Sequence, residues 1–329
     1  MTTITEGAYR NHPSCRVLFI AAAGRSGSTL LATLLGTVDG LCSVGELRFL
    51  WQRGIIENRL CGCGVPFRDC DFWQEVMTEA FGGIENIDVE RILRAQDSSI
   101  RVRHVPRRLV ESRVGIDPKY DPAYLSALAQ VYSAIHRVTS GAIIVDTSKP
   151  PIYVDALRRL PHMDVAVVHL VRDPRANAYS WSRLKRRDSV EGTAFMEQHS
   201  ALKAALLWSV WNVTSRAIWI KGSARRYVQV RYEDLVADPP GESDRVLGMV
   251  QRSSRDVPFI GPNLVSTGVN HMVAGNPDRL NRGELELRVD QRWQHEMTRR
   301  QRLVASVVAA PVMHSFGYSL RNHQAGNGG

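Results

Sequence analysis

The sequence predicts an α/β fold in which a parallel sheet is covered by helices on both faces, giving three layers. Two short apolar runs, residues 17–23 and 164–171, lack a helical period and are typical of buried strands. Residues 123–140 instead repeat their apolar side chains at helical spacing. Strands that alternate with helices along a chain favour a parallel sheet, because each helical crossover returns the chain to the same edge.

The first predicted strand leads directly into a loop of small residues. Residues 24–29 read Gly-Arg-Ser-Gly-Ser-Thr, and leucines at helical spacing begin at Leu30. Backbone N–H groups of such a loop converge on one concavity, where the dipole of the following helix adds positive potential. The loop therefore indicates an anion site, most often for phosphate. An ordinary strand-to-helix turn is the alternative.

Two common phosphate loops do not match these residues. A Walker loop requires Lys after its last Gly, whereas Ser28 follows Gly27 and the nearest cation, Arg25, precedes it. No Gly-x-Gly-x-x-Gly dinucleotide fingerprint is present. The loop thus argues against a P-loop kinase and against a Rossmann dinucleotide site.

The remaining elements complete a single domain, predicted over residues 15–321. The predicted strands and helices follow in order: strands at 41–44, 142–145 and 227–231, and helices near 72–81, 88–96, 200–221 and 240–252. Residues 1–14 and 322–329 are expected to be flexible tails, and residues 52–122 an insertion. Residues 255–287 are rich in Gly, Pro and Asn and predict a long functional loop.

The composition indicates an anionic partner. The chain has 329 residues and a net charge of +9, with a pI near 9.6. Nucleic acid, an acidic membrane surface or a multiply charged cofactor would each suit this charge. The arginines are spread along the chain, which argues against nucleic acid. No membrane span or signal peptide is recognised, so a cytoplasmic protein is expected.

Five cysteines include one cluster, Cys61, Cys63 and Cys70. Zinc is an alternative for this cluster, but the spacing is poor and no fourth ligand is near in the sequence. A reduced structural loop is preferred, and a disulfide is not expected in a reducing cytosol. The sequence therefore predicts no metal.

A second candidate ligand-binding motif begins where residues 164–171 end. Arg172 follows this strand, at the sheet edge where open α/β folds bind ligands, and Ser180 lies two helical turns later. Such an Arg and Ser can converge on one phosphate through charge-assisted and hydroxyl hydrogen bonds. In the alternative, Asp173 caps a helix and Arg172 forms a surface ion pair.

Together, these motifs resemble those of sulfotransferases that use 3′-phosphoadenosine 5′-phosphosulfate (PAPS). Residues 24–31 resemble the 5′-phosphosulfate loop, 169–180 the 3′-phosphate motif, and 230–239 a segment whose Tyr packs beside adenine. The likeness is nearer to the bacterial and tyrosylprotein branch than to the phenol branch. It implies a P-loop-like sulfotransferase fold and a cofactor site made of Arg25, Ser26, Gly27, Ser28, Thr29, Leu30, Arg172, Ser180, Tyr232, Arg282 and Gly283.

The resemblance also implies the catalytic residues. Arg25 and Lys149 are expected to stabilise negative charge on the transferring group, and Glu46 to remove the acceptor proton. A surface carboxylate paired with Arg48 and a solvated lysine are the alternatives for Glu46 and Lys149. The acceptor is a hydroxyl or amine of a small molecule, carbohydrate, lipid or peptide, with the insertion on the acceptor side.

Two alternatives concern the base and the function. A histidine would replace Glu46 as the base, with His104 and His271 as the candidates. A non-catalytic nucleotide- or nucleic-acid-binding protein would use the same loop without chemistry. Glu46 and Lys149 argue against that second possibility, and the oligomeric state is left open.

Overall fold

The computed structural model describes residues 14–101, 104–105, 107, 110–111, 119–184, 196–219 and 226–320. All structural statements below refer to these residues. The predicted tails fall outside them, apart from residue 14, and so does part of the insertion.

The centre of the molecule is a five-stranded parallel sheet, as predicted. Its strands are β1 (Cys15–Ala22), β2 (Leu41–Gly45), β3 (Ile143–Asp146), β4 (Met163–Val171) and β5 (Tyr227–Arg231). They lie in the order β2-β3-β1-β4-β5, with β1 paired to β3 on one side and to β4 on the other. All five carboxyl ends therefore meet at one edge.

Alternating side chains of the central strand enter two separate cores. Val17, Phe19 and Ala21 pack into the core on one face of the sheet. Leu18 and Ile20 pack into the core on the other face. This explains the continuous apolar run, because a strand covered on both faces has no side that tolerates polar residues.

Helices cover both faces, which confirms the predicted three layers. In chain order they are α1 (Ser28–Leu35), α2 (Asp71–Phe81), α3 (Val89–Ile100), α4 (Pro122–Val138), α5 (Pro151–Leu157), α6 (Pro174–Ser182), α7 (Ala201–Trp219), α8 (Tyr232–Ala237), α9 (Pro239–Gly248), α10 (Trp293–Glu296) and α11 (Arg299–Met313). No helix of the described residues has both the length and the apolar composition needed to cross a bilayer.

The described part of the insertion packs onto the core. A π-helical segment, Leu50–Ile56, comes just before α2 and α3. Phe67 and Trp73 are buried in the same core as Phe19 of β1. The insertion is therefore anchored to the sheet by large apolar side chains.

The late segment differs from the expected loop. Residues 255–287 contain a small antiparallel sheet of β6 (Phe259–Gly261), β7 (Leu264–Thr267) and β8 (Gly283–Glu286). Its strands are only three or four residues long, and Val265 is the member that is fully buried. So short a pattern of alternation is not distinguishable from a loop in the sequence.

Candidate active site

The loop between β1 and α1 makes a tight turn just before the N-terminus of α1. Arg25 and Gly27 both have left-handed backbones, with φ of 69° and 92°. A Cβ on Gly27 would lie 2.4 Å from the ring of Tyr232, so only glycine fits there. Ser26 is fully buried beneath the loop. Gly27 is the N-cap residue and has no side chain to bond the first N–H groups of α1.

Helix α6 supports this loop from the side. Asn177 Nδ2 donates to the Gly24 carbonyl oxygen at 2.7 Å, and Trp181 Nε1 donates to the same oxygen at 3.1 Å. On the opposite side, the backbone N–H of Asn276 donates to Thr29 Oγ1 at 3.2 Å. These three hydrogen bonds hold the loop in place.

Arg172 lies at the end of β4 and is buried against the loop. Its Nη1 lies 3.4 Å from the Arg25 carbonyl oxygen, and its Cζ lies 4.7 Å from the centre of the Tyr232 ring. Its buried Nε has no hydrogen-bond partner among the described residues. Asp173 does cap α6 through the N–H of Arg175, but Arg172 is not the surface ion pair of the alternative interpretation. A buried donor without a partner is suited to an anionic ligand.

Glu46 and Lys149 come from the ends of β2 and β3 and form an ion pair in which Lys149 Nζ donates to Glu46 Oε1. Neighbouring backbone contacts align the two turns, because Thr147 N donates to the Gly45 carbonyl oxygen and Arg48 N to Ser148 Oγ. Lys149 has a left-handed backbone, with φ of 71°. Both alternatives, a surface carboxylate and a solvated lysine, are wrong, since both side chains are largely buried.

The surrounding cations determine the charge state of Glu46. Burial opposes ionisation of the carboxyl group, but Lys149, Arg48 and Arg53 together hold its pKa below the ordinary value of 4.5. Burial lowers the pKa of Lys149, and the Glu46 carboxylate opposes that shift. Glu46 is therefore a carboxylate at neutral pH, and it is available to accept a proton.

A cavity of about 770 Å³ joins these features. It is lined by eight basic side chains and five carboxylates, an excess of positive charge that suits a multiply charged anion. Of the residues predicted from the sequence, those that line it are Arg25, Gly27, Ser28, Thr29, Leu30, Glu46, Lys149, Arg172, Ser180 and Tyr232.

Some predicted residues lie elsewhere. Ser26 supports the loop from below. Arg282 lies outside the cavity lining and donates to the Cys63 carbonyl oxygen, while Gly283 begins β8. His104 and His271 are also absent from the lining.

Other residues at the cavity were not recognised in the sequence. His199 is the histidine of the described residues that lines the cavity, where it stacks on Trp181 with the ring centres 4.1 Å apart. Arg48 and Arg53 both lie over the ring of Phe49. No motif marks these positions, because tertiary contacts alone bring them to the sheet edge.

Comparison with known proteins identifies the class. The model of the sulfotransferase family matches residues 18–254, which is most of the chain, and the chain belongs to that family. A search of curated protein sequences finds no match.

Two solved structures to which the chain is similar are also sulfotransferase domains. The sulfotransferase domain of the Synechococcus PCC 7002 olefin synthase is 21% identical, with a TM-score of 0.53 over 95% of this chain and 98% of that one. The sulfotransferase domain of the curacin biosynthetic pathway is 17% identical, with a TM-score of 0.49 over 94% of this chain and 100% of that one. The likeness to the olefin synthase domain shows that the chain has the P-loop-like sulfotransferase fold.

Glu46 has three cations around it, so removing Glu46 and removing Lys149 should lower the stability of the protein by different amounts. Glu46→Gln leaves Lys149, Arg48 and Arg53 without their shared anion, so we expect a loss of about 3 kcal/mol in the free energy of unfolding. Lys149→Met should cost less, because two guanidinium groups remain near the carboxylate. Urea denaturation measures both, with the exposed Glu90→Gln as a control that leaves the midpoint unchanged.

The pH dependence provides a check on this assignment. Because the folded pKa of Glu46 is depressed, its contribution is present above pH 4.5 and is lost as the pH falls below that value. The stability difference between wild type and Glu46→Gln should therefore shrink on acidification. A difference that is constant across that range would contradict the ion-pair explanation.

Proposed function

We propose that the protein is an enzyme that transfers the sulfuryl group of PAPS to a hydroxyl or amine of an acceptor and releases adenosine 3′,5′-bisphosphate (PAP). The observation that carries this proposal is the ionised Glu46, paired with Lys149 opposite an anion loop within one cavity. A protein that only binds nucleotides has no need for a buried, charged acid–base pair at the reacting end. This favours the enzyme over the non-catalytic alternative.

The residues present fit PAPS. The N–H groups at the start of α1 and the Arg25 guanidinium suit the 5′-phosphosulfate. Arg172, with its unpartnered Nε, and Ser180 suit the 3′-phosphate. Tyr232 lies between these two regions, against both Gly27 and Arg172. Near the end of the late segment, the basic side chain that lines the cavity is Arg288, and not Arg282 as the resemblance implied.

PAPS supplies the sulfuryl group, and the side chains of this protein supply the remaining requirements. Lys149 and Arg25 neutralise negative charge as the bond between sulfur and the phosphate oxygen breaks. Glu46 accepts the proton that the acceptor loses as its oxygen or nitrogen bonds to sulfur. The loop fixes the direction of approach, because Asn177 and Trp181 hold it in place.

The acceptor side is proposed more broadly. Phe49, Leu207, Trp208 and Trp211 give the cavity an apolar wall. Such a wall suits the carbon skeleton of a small molecule, carbohydrate, lipid or peptide acceptor. Of the described insertion residues, Arg53 reaches the lining. The cytoplasm of a bacterium is the proposed location.

Cofactor choice tests the proposal directly. PAP should raise the melting temperature by mass action, whereas ATP with Mg²⁺ at equal concentration should raise it much less. Gly27→Ala should abolish the PAP effect, because its Cβ would meet the Tyr232 ring and φ is positive. Gly248→Ala is the matched control, since nothing lies within 4 Å of its Cβ. Equal stabilisation by ATP would overturn the choice of PAPS.

The 3′-phosphate assignment predicts a ligand-dependent loss. Arg172→Ala should weaken PAP binding by about 2 kcal/mol or more, and Ser180→Ala by about 1 kcal/mol. Neither change should alter the affinity for adenosine 5′-phosphosulfate, which lacks the 3′-phosphate. Isothermal titration with both ligands measures this, and parallel losses for the two would assign Arg172 and Ser180 to the fold instead.

The role of Glu46 predicts a kinetic defect. Glu46→Gln keeps the shape and removes the basicity, so kcat should fall at least about a hundredfold. The PAP affinity should stay within about threefold, because the change affects the chemical step. In wild type, the acid limb of the pH–rate profile should lie below pH 4.5, and it should disappear in the variant.

A histidine base is the outcome that would contradict this role. Among the histidines, His199 is the one to substitute, because it lines the cavity, whereas His104 and His271 do not. Near-normal turnover in Glu46→Gln together with loss of turnover in His199→Ala would assign the proton transfer to His199. Assays at a temperature well below the melting point of each variant separate this from instability.

A further inference from the structure

A second cluster of reactive side chains lies away from the cavity, at the base of the insertion. Cys61, Cys63, Cys70 and His271 place one ligand atom each within 4.8 Å of one another. No fourth ligand lies near the cysteines in the sequence, but folding brings His271 to Cys70 from 201 positions further along the chain. Sequence spacing alone does not reveal such a ligand.

Four of the six separations between these atoms are close to the edges of a tetrahedron around one metal ion. Cys70 Sγ lies 3.6 Å from both Cys61 Sγ and Cys63 Sγ. His271 Nδ1 lies 3.3 Å from Cys70 Sγ and 3.8 Å from Cys61 Sγ. Zinc, with bonds of about 2.3 Å to sulfur and about 2.0 Å to nitrogen, requires edges of roughly 3.8 Å and 3.5 Å. We propose that these four residues form a structural zinc site.

The backbone around the cysteines is shaped to present their sulfur atoms. Gly64 has φ of 87° and closes a turn in which its N–H donates to the Cys61 carbonyl oxygen. The Cys63 N–H donates to Cys61 Sγ, and the Trp73 N–H donates to Cys70 Sγ. Cys70 also directly precedes α2, where the helix dipole stabilises a thiolate.

The histidine is oriented by its neighbours. The Phe72 ring stacks on His271 with the ring centres 4.8 Å apart. Trp73 Nε1 donates to the His271 carbonyl oxygen at 2.9 Å. These contacts hold the imidazole with Nδ1 toward the sulfur atoms.

The charge balance also suits zinc. Three thiols lose their protons to solvent on binding, so a divalent ion with three thiolates and a neutral imidazole carries one negative charge. The Arg282 guanidinium, which donates to the Cys63 carbonyl oxygen, lies beside the cluster. This contact gives Arg282 a place in the structure that differs from the phosphate role expected from the sequence.

A disulfide explains the geometry less well. The sulfur atoms are 3.6 Å apart, against about 2.05 Å in a disulfide, and all five cysteines are free. A disulfide would also use two sulfur atoms and leave the third facing His271 without a function. Four protein ligands complete a tetrahedral shell and leave no open position, so the role is structural and not catalytic.

Such a zinc ion would connect two distant parts of the chain. The three cysteines belong to the insertion, and His271 lies four residues before Gly275, which lines the cavity beside Thr29. The ion would therefore hold the segment that borders the anion loop. The proposal depends on the cluster alone and not on the choice of PAPS.

Metal analysis tests the proposal. Protein purified without chelator should contain roughly one zinc per chain by inductively coupled plasma mass spectrometry. Cys63→Ser and His271→Asn should reduce the zinc content at least about fivefold, while Cys42→Ser, a free cysteine outside the cluster, should retain it. Cobalt substitution should give the visible absorption bands of a tetrahedral thiolate site.

If a variant fails to fold, measurements on the wild-type protein still test the proposal. A strong chelator should lower its melting temperature, and added zinc should restore it. Thiol titration of the denatured, metal-stripped protein should find five thiols. Protein that binds no zinc on reconstitution, that contains iron instead, or that shows only three thiols would overturn the proposal.

Discussion

The parallel arrangement of the buried sheet determines the rest of the site. Because backbone hydrogen bonds align all five strands in one direction, their carboxyl ends converge on one edge. Each end then contributes one part of the cavity: the glycine-containing loop after β1, Glu46 after β2, Lys149 after β3, Arg172 after β4 and Tyr232 after β5. No single segment contains the site, yet every part is adjacent to a strand that burial makes rigid.

Two of these parts are held in an unfavourable backbone conformation. Arg25 and Lys149 are not glycines, yet both have a positive φ, which typically costs about 1–3 kcal/mol per residue. Packing around them maintains the strain: Asn177 and Trp181 fix the loop at Gly24, and the Glu46 carboxylate fixes the Lys149 ammonium. The strain thus falls on the two cations proposed to face the reacting group.

The sequence was sufficient for the features that depend on local patterns. Continuous apolar runs marked β1 and β4, and the small-residue loop between strand and helix marked a turn that lines the cavity. It was insufficient where the contact is between distant segments. The pairing of β6, β7 and β8, the position of His199 at the cavity and the approach of His271 to Cys70 depend on tertiary packing. Arg282 and Gly283, expected in the cofactor site, lie outside the cavity lining for the same reason, and Arg282 contacts the Cys63 carbonyl oxygen.

The attachment of the insertion to the late segment has a consequence for protein engineering. Gly62 N donates to the Met272 carbonyl oxygen, Arg279 Nη2 donates to the Leu60 carbonyl oxygen, and Trp73 Nε1 donates to the carbonyl oxygen of His271. An insertion grafted from a relative to change acceptor choice would meet a late segment shaped for the original one. The module that can be exchanged therefore consists of two separate segments, residues 52–101 and 268–282, which need to be transplanted together. A chimera that exchanges only one of the two segments would break the hydrogen bonds between them.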